Sequence, residues 1–174
     1  MRQRDPGPAI DAEIIELGLR VYRDAGLVGV EVLLNSIGDG VCRPAYVRAL
    51  TDYYRVHAAE LPATESGRLE RNVLRLLDSK DPAMAALNAQ APRITDHLCE
   101  GCATHFASVR AHLDAISVPY RLEPALVRGL DYYTRTAFEF YVAGREGQQQ
   151  ALGGGGRYDG LVELLGGRPT PGIG

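Results

Sequence analysis

The stretch LVRGLDYYTRTAFEF, residues 126–140, changes character halfway along its length. Its second half alternates as a β-strand does, with Thr136, Phe138 and Phe140 on one face. Its first half sets Arg128 among apolar neighbours, and an aspartate and two tyrosines follow within five residues. The alternation predicts a strand, and the polar groups at its start indicate either a buried ion pair or a ligand site.

Arg128 admits two interpretations from its neighbours alone. It could form a buried ion pair with Asp131 or Glu139, the kind of pair whose disruption costs about 3–5 kcal/mol. It could instead present its planar guanidinium to a phosphate or a carboxylate, which the two parallel N–H groups of arginine suit well. In an extended backbone Tyr132 and Tyr133 would project to opposite faces, so that one packs while the other enters a pocket. Residue chemistry favours binding only slightly.

Helix and strand signals alternate on both sides of this stretch. Ile10, Ile14, Leu17 and Val21 predict the apolar face of a helix at residues 10–25, and a strand is predicted at 30–34. Four helical segments follow, predicted behind Pro44, at 65–77, behind Asp81-Pro82 and at 94–117. Strands return at 120–122 and 134–142, residues 149–152 are the candidate partner strand, and Asp159 is predicted to cap a last helix. This order predicts an α+β fold: a core from residues 1–40 and 119–174, interrupted by an all-helical insertion at 41–118.

The glycine run GGGGRYDG, residues 153–160, is predicted to break the returning strand. Its backbone N–H groups could cradle a phosphate, although the spacing matches neither a Walker A loop nor a dinucleotide-binding fingerprint. The run could equally form a tight turn or bulge, or allow a close approach between backbone and ligand. The segment by itself leaves these possibilities open.

The segment DHLCEGCATH contains four side chains that zinc favours, namely His97, Cys99, Cys102 and His105. The helix predicted at 94–117 would hold all four, whereas structural zinc sites usually place a cysteine pair on a turn and a second pair elsewhere. Cys102 also lies on the apolar stripe of that helix, where a free cysteine behaves as a small hydrophobic residue. We therefore predict no metal ligated by the protein.

Composition limits the class of protein. The chain has 174 residues, is 45% hydrophobic and 24% charged, and carries a net charge of -3, as a soluble globular domain does and a general nucleic-acid binder does not. No apolar run approaches the length of a membrane span, and residues 1–10 lack the apolar region of a signal peptide. Three cysteines, an odd number, fit a reducing compartment, so a cytoplasmic location is expected.

Taken together, the two segments resemble the histidyl-tRNA synthetases. LVRGLDYYTRTAFEF is similar to the first histidine-specific motif of that family, and ALGGGGRYDGLVELLGG is similar to the second at the expected distance. RPTPGIG resembles the approach to the third class II motif, and PAIDAEIIELGLRVYRDAGL with VEVLLNSIGD resembles the segment after the second. RNVLRLLDSKDPAM and LCEGCATHFASVRAHLDAISVPYRLEPALVRGLDYY resemble the helical insertion. The resemblance runs from about residue 8 to the end.

The resemblance implies part of a class II catalytic core, built on an antiparallel sheet and interrupted by the insertion. Members activate histidine with ATP and Mg²⁺, transfer the histidyl group to tRNA(His), and form homodimers. Arg128 would be catalytic and would contact both the α-phosphate and the histidine carboxylate, where negative charge develops. The other residues that the resemblance assigns to the histidine site are Tyr132, Tyr133, Tyr158, Gly155 and Gly156.

The insertion would touch the acceptor arm of the tRNA. Its candidate contacts are Arg43, Arg48, Arg55, Arg68, Arg71 and Arg75. These arginines could instead form a solvated face. A module that binds RNA through the helices of 41–118 alone is also open.

Several family features have no counterpart in these 174 residues. They are the first two class II motifs, the arginine of the third, and the anticodon-binding domain. The expectation is therefore a central fragment that is inactive alone. Two alternatives are a non-catalytic paralogue, such as the regulatory subunit of ATP phosphoribosyltransferase, and a tRNA-sensing synthetase-like domain. The intact RGLDYY run and the helical insertion argue against the first, since that paralogue tends to lack both.

Overall fold

The computed structural model describes residues 7–79, 81–126, 132–142 and 151–174, with strands towards both ends and helices between them. In chain order the elements are α1 (Pro8–Asp24), β1 (Val30–Ser36), α2 (Arg43–Val56), α3 (Ala63–Arg71), α4 (Leu74–Leu77), α5 (Met84–Gln90), α6 (Glu100–Ala115), β2 (Tyr120–Leu122), β3 (Thr134–Val142), β4 (Ala151–Arg157) and α7 (Leu161–Leu164). Short 3₁₀ turns lie at Ala58–Glu60 and Ile94–His97. The predicted α+β organisation is confirmed. Within the described ranges, no helix has the length and apolar character needed to cross a bilayer.

The four strands form one sheet in the order β2-β1-β3-β4. Strands β1 and β3 are antiparallel, with Leu34 opposite Phe138, and β3 and β4 are antiparallel, with Phe138 opposite Gly155. Strand β2 pairs with β1 in parallel, so the sheet is mixed rather than wholly antiparallel. A parallel pair needs a crossover connection, and here the helices α2 to α6 supply it.

Helices α1 and α6 pack against one another and against the sheet. Their shared core is formed by Ala12, Ile15, Leu19, Val30, Val32, Leu34, Phe106, Val109, Leu113, Val118, Phe138 and Phe140. The predicted apolar face of α1 is only partly right: Ile14 packs against this core, but Leu17 and Val21 are 52% and 58% exposed while Ile15 and Leu19 are buried. Two apolar stripes run along this helix, and only the position of α6 and the sheet decides which is buried.

A second core lies among α2, α4 and α5 and the turn at Ile94–His97. A polar bridge closes it: the Tyr54 hydroxyl donates to Asn88 Oδ1 at 2.7 Å, and Asn88 Nδ2 donates to the carbonyl oxygens of Leu76 and Leu77 at 2.8 and 3.2 Å. Helix α6 belongs to the sheet's core rather than to this one. The division at residues 1–40, 41–118 and 119–174 stays a prediction, and this packing favours an insertion that ends before α6.

The single helix predicted at 94–117 is wrong. The chain forms a 3₁₀ turn at Ile94–His97, passes through extended conformations at Leu98 and Cys99, and begins α6 at Glu100. Leu98 packs against both cores, which explains the break, because a continuous helix would carry its side chain to one core only. The helix predicted at 65–77 is likewise divided, at Asn72, whose backbone is extended.

The glycine run does not break the returning strand, because β4 continues through it to Arg157. A Cβ atom at Gly153 would overlap the Tyr22 hydroxyl, so the strand runs where side chains have no room. The predicted cap on the last helix is also wrong. Asp159 Oδ1 instead accepts hydrogen bonds from Arg157 Nη1 at 2.9 Å and from the Gly172 N–H at 3.1 Å.

Candidate active site

Three tyrosines from the two motif segments meet at one end of the β3–β4 pair. Tyr132 and Tyr133 precede β3, Tyr158 follows β4, and the pairing of Thr134 with Arg157 brings these ends together. The ring centroid of Tyr132 lies 5.1 Å from that of Tyr133 and 6.4 Å from that of Tyr158, and Tyr133 stacks on Tyr158 at 6.3 Å. Tyr132 lies in a turn, so the extended backbone that would separate the first two rings does not occur.

A bulge at the start of β3 sets this turn. Arg135 has a left-handed backbone with φ of 56°, and the β3–β4 register shifts between Thr134 and Ala137. The Arg135 N–H donates to the Gly38 carbonyl at 2.7 Å, and its own carbonyl accepts the Ile37 N–H at 2.7 Å. Bulges redirect the side chains beside them, so this one determines where the tyrosines before β3 lie.

Gly155 and Gly156 are both buried, and contacts within the protein already exclude side chains at both positions. A Cβ atom on Gly156 would lie 2.9 Å from the Thr136 carbonyl oxygen and 3.0 Å from Tyr133 Cδ2. On Gly155 it would overlap the Gly174 carbonyl oxygen. Contact between these glycines and histidine stays a prediction. Close packing within the protein is enough to explain why both positions are glycine.

Arg128 lies outside the described residues, but both flanks of its segment are anchored. On one side Asn35, 2% exposed, donates from Nδ2 to the carbonyl oxygens of Pro124 and Leu126 at 3.3 and 3.1 Å. On the other side Arg43 Nη2 donates to the Tyr133 carbonyl oxygen. Strand β1 and the start of α2 thus hold the chain before and after the segment that contains Arg128.

A buried charged network under the tyrosines was not predicted from the sequence. Asp11 is 0% exposed and Arg157 1%, and they form an ion pair through Arg157 Nη2 and Asp11 Oδ1. Asp11 Oδ2 also accepts hydrogen bonds from Arg157 Nε at 3.3 Å and Thr136 Oγ1 at 2.5 Å, and contacts His105 Nε2 at 2.9 Å. Burial alone would raise the pKa of Asp11, but the hydrogen bonds from these three residues together hold it below its usual value.

The network joins α1, α6, β3 and β4 at the point from which Tyr158 projects. A sequence signal for it existed, because Asp11 stands four residues before Ile15 and eight before Leu19, on the stripe that is buried. An aspartate in line with apolar residues predicts a buried partner.

The six candidate arginines of the helical region differ in their surroundings. Arg43 is half-buried and donates to carbonyl oxygens, including Ile37 at 3.1 Å, and Arg68 pairs with Glu65 at 2.9 Å. The remaining side chains are exposed: Arg48, Arg55, Arg71 and Arg75. Contact with tRNA stays a prediction for all six.

The four candidate zinc ligands do not form one group. His105 faces Asp11, and the His97 ring lies 5.7 Å from the Tyr46 ring. Cys99 and Cys102 lie instead beside Asp39 and Cys42, which precede α2.

Comparison with known proteins identifies relatives of this chain. A family model described as histidyl-tRNA synthetase matches residues 5–174. The histidine–tRNA ligases of Symbiobacterium thermophilum and Anaeromyxobacter sp. are 49% and 52% identical over 167 residues, which are 96% of this chain and 38% and 40% of those proteins. The chain therefore spans about two fifths of their length.

Solved structures show the same relationship. The crystal structure of apo S. aureus histidyl-tRNA synthetase is 37% identical, with a TM-score of 0.70 over 96% of this chain and 40% of that one. An ATP phosphoribosyltransferase regulatory subunit/histidyl-tRNA synthetase from Bacillus halodurans shares the fold at 21% identity and a TM-score of 0.59, covering 97% of this chain and 47% of that one. By the family match and these relatives, the chain belongs to the histidyl-tRNA synthetase family.

Proposed function

We propose that this chain supplies the histidine-recognition part of a histidine–tRNA ligase, which activates histidine with ATP and transfers it to tRNA(His). The observation that carries the proposal is the convergence of Tyr132, Tyr133 and Tyr158, from two segments of the chain, at one end of the β3–β4 pair. Tyr132 and Tyr158 are partly exposed, so their hydroxyl groups can serve a ligand as well as the protein.

In this proposal the tyrosines frame the imidazole, and Gly155 and Gly156 let the strand backbone approach it. A pocket that hydrogen-bonds a polar ring rejects apolar analogues, because they leave its buried polar groups unpaired. Arg128 supplies the fixed positive charge that stabilises the α-phosphate as the histidine carboxylate attacks it. The Asp11–Arg157 pair contacts neither reactant in this scheme and holds the end of β4 in place.

Mg²⁺, which accompanies ATP in the family, prefers oxygen ligands. Among the residues that the structure describes, the group of side chains placed to hold a metal is Asp39, Cys42, Cys99 and Cys102, and thiols do not suit Mg²⁺. The described part of the chain therefore offers Mg²⁺ no matching set of protein ligands.

The test uses the Symbiobacterium thermophilum ligase with its matching 167 residues exchanged for those of this chain. The hybrid should catalyse histidine-dependent exchange of pyrophosphate into ATP. Arg128→Ala should lower kcat by about 10²–10³-fold with little change in the KM for ATP. If that variant raises only the KM for ATP, Arg128 binds the nucleotide and does not act in catalysis.

The same assay tests the tyrosines. Tyr132→Phe and Tyr158→Phe should each raise the KM for histidine by about 10-fold, the value of one hydrogen bond. The matched control is Tyr53→Phe, which removes a hydroxyl that donates to the Leu87 carbonyl at 2.8 Å, away from the site. Equal effects of all three variants would contradict a histidine site at the cluster.

We further propose that the exposed arginines of the helical region contact tRNA. Arg48→Gln and Arg55→Gln should each reduce by about one the slope of log affinity for tRNA(His) against log salt concentration. Arg121→Gln is the control, because this arginine is also exposed, with a side chain 61% accessible, but lies on β2. A slope that none of the helical substitutions changes would leave these arginines as a solvated face.

A further inference from the structure

Three cysteines and one aspartate from two distant turns converge where α2 and α6 begin. Asp39 and Cys42 lie between β1 and α2, and Cys99 and Cys102 lie 60 residues further along the chain. Their four candidate ligand atoms are all within 4.8 Å of one another. A structural zinc site requires a second pair of ligands, and the sequence pattern around Cys99 did not reveal one. The fold provides this pair as Asp39 and Cys42.

In both segments the backbone carbonyl of the first residue accepts a hydrogen bond from the N–H of the fifth residue. In the first, the Asp39 carbonyl accepts the Arg43 N–H at 2.9 Å, and in the second the Cys99 carbonyl accepts the Ala103 N–H at 2.9 Å. Each turn therefore opens a helix and presents side chains at its first and fourth positions. Pairs of ligands with two residues between them, on two separate segments, are the usual arrangement of a four-coordinate structural zinc site.

The spacing of the ligand atoms fits a tetrahedral ion. With Zn–S near 2.3 Å and Zn–O near 2.0–2.2 Å, the O···S edges of the tetrahedron measure about 3.6 Å. The Asp39 Oδ1 atom lies 3.6 Å from Cys42 Sγ and 3.9 Å from Cys99 Sγ. Cys42 and Cys102 are buried at 4% and 0% exposure, whereas Cys99 and Asp39 are half-buried and leave a route for the ion to enter.

Neighbouring donors offset the negative charge that three thiolates and a carboxylate would bring. The Asp39 N–H donates to Cys42 Sγ at 3.3 Å, and Arg135 Nη2 lies 3.8 Å from Asp39 Oδ2. Three sulfur ligands select zinc over Mg²⁺ or Ca²⁺, which prefer oxygen. A redox-active dithiol would need only Cys99 and Cys102, and would give no reason for a third thiol and a carboxylate to join them.

We propose a structural zinc site that ties the turn after β1 to the start of α6; its four ligands are Asp39, Cys42, Cys99 and Cys102. The site joins the strand end before the helical region to the helix start after it. It replaces our expectation from the sequence that the protein ligates no metal, which depended on a single helix through residues 94–117.

The first measurement is the zinc content of the unmodified chain. The protein is produced without a histidine tag in zinc-containing medium, purified under reducing conditions and analysed by mass spectrometry for metals. About one zinc per chain is expected, and chelation should lower the melting temperature by about 5–10 °C. Less than about 0.2 zinc per chain would overturn the proposal.

The second measurement assigns the ligands. Cys99→Ser and Cys102→Ser should each weaken zinc binding by at least about 10-fold, as judged by competition with a chelator. Cys99 is half-buried, so its variant is informative even if the fully buried Cys102→Ser protein fails to fold. His97→Gln is the control, because this histidine is adjacent in sequence but faces Tyr46, and it should retain zinc. Retention by both serine variants, or loss in the control, would show that the ligands are wrongly assigned.

A third measurement counts thiolates with cobalt as the probe. Co²⁺ in a tetrahedral site with three thiolates gives sulfur-to-metal charge-transfer absorption that scales with the number of sulfur ligands. Asp39→Cys should raise that absorption by about one third, since a fourth thiolate joins three. An unchanged spectrum would place Asp39 outside the site and overturn the four-ligand assignment.

Discussion

Replacing Asp11 with asparagine tests whether the buried network determines the stability of the fold. The substitution keeps the shape of the side chain but removes the charge opposite Arg157, which is 1% exposed. Breaking a buried ion pair costs about 3–5 kcal/mol because it leaves the other charge unpaired. Arg157 would keep Asp159 at 2.9 Å and the Gly7 carbonyl at 3.3 Å, so the low end, about 3 kcal/mol, is expected.

Urea unfolding followed by circular dichroism measures this loss in free energy, and thermal unfolding should show a fall in melting temperature of about 6–12 °C. The control is Glu16→Gln on the same helix, where the carboxylate pairs with Arg20 at 2.6 Å but the two side chains are 28% and 62% exposed. Exposed pairs contribute little, so its melting temperature should stay within about 2 °C of the original. If the free energy of unfolding of Asp11→Asn lies within about 1 kcal/mol of that of the parent, the buried network does not determine the stability of the fold.

Acid provides an independent check on the same network. The pKa of Asp11 in the folded protein lies below its ordinary value of about 3.9, so folding releases protons from this group. The stability it contributes is therefore fully present above about pH 5 and is lost as pH falls through the folded pKa. The difference in unfolding free energy between parent and Asp11→Asn should shrink below about pH 4. A difference that stays constant down to pH 2 would contradict an ionised, hydrogen-bonded Asp11.

Four further substitutions have defined outcomes in urea unfolding. Gly155→Ala should lower the free energy of unfolding by about 1–3 kcal/mol, because the added Cβ overlaps a backbone carbonyl oxygen. Its control, Gly101→Ala, is at an exposed helical position with open space and should raise the free energy of unfolding by up to about 1 kcal/mol. Equal effects of the two substitutions would contradict this explanation. Asn35→Asp should lower the free energy of unfolding by about 3 kcal/mol at pH 7, because a carboxylate would face two carbonyl oxygens. This stability should return as the pH falls and the carboxyl group becomes neutral, and a loss that does not depend on pH would contradict the prediction. Arg43→Lys keeps the charge but should lower the free energy of unfolding by about 1–2 kcal/mol, since the guanidinium donates hydrogen bonds to several carbonyl oxygens. An unchanged free energy of unfolding would mean that only the charge matters at this position.

Local patterns in the sequence were sufficient for several of the elements and for the family. Alternation at residues 134–142 predicted β3 with its observed bounds, and the predicted strand at 120–122 corresponds to β2. Helical spacing located α1 and α2 to within a few residues. These signals depend only on which neighbours along the chain are apolar, so they can be read without the fold.

Tertiary structure decided which faces and which distant residues meet. Leu17 and Ile15 both lie on apolar stripes of α1, and only the position of α6 and the sheet buries the second. Leu98 interrupts a helix because it packs against two cores at once, and that break places Cys99 on a turn. Asp39 Oδ1 lies 3.9 Å from Cys99 Sγ although the two residues are 60 positions apart in sequence. The spacing of residues along the chain predicts the apolar face of a helix or the position of a turn. Contacts between distant segments depend on how whole elements pack, and a short stretch of sequence does not determine that packing.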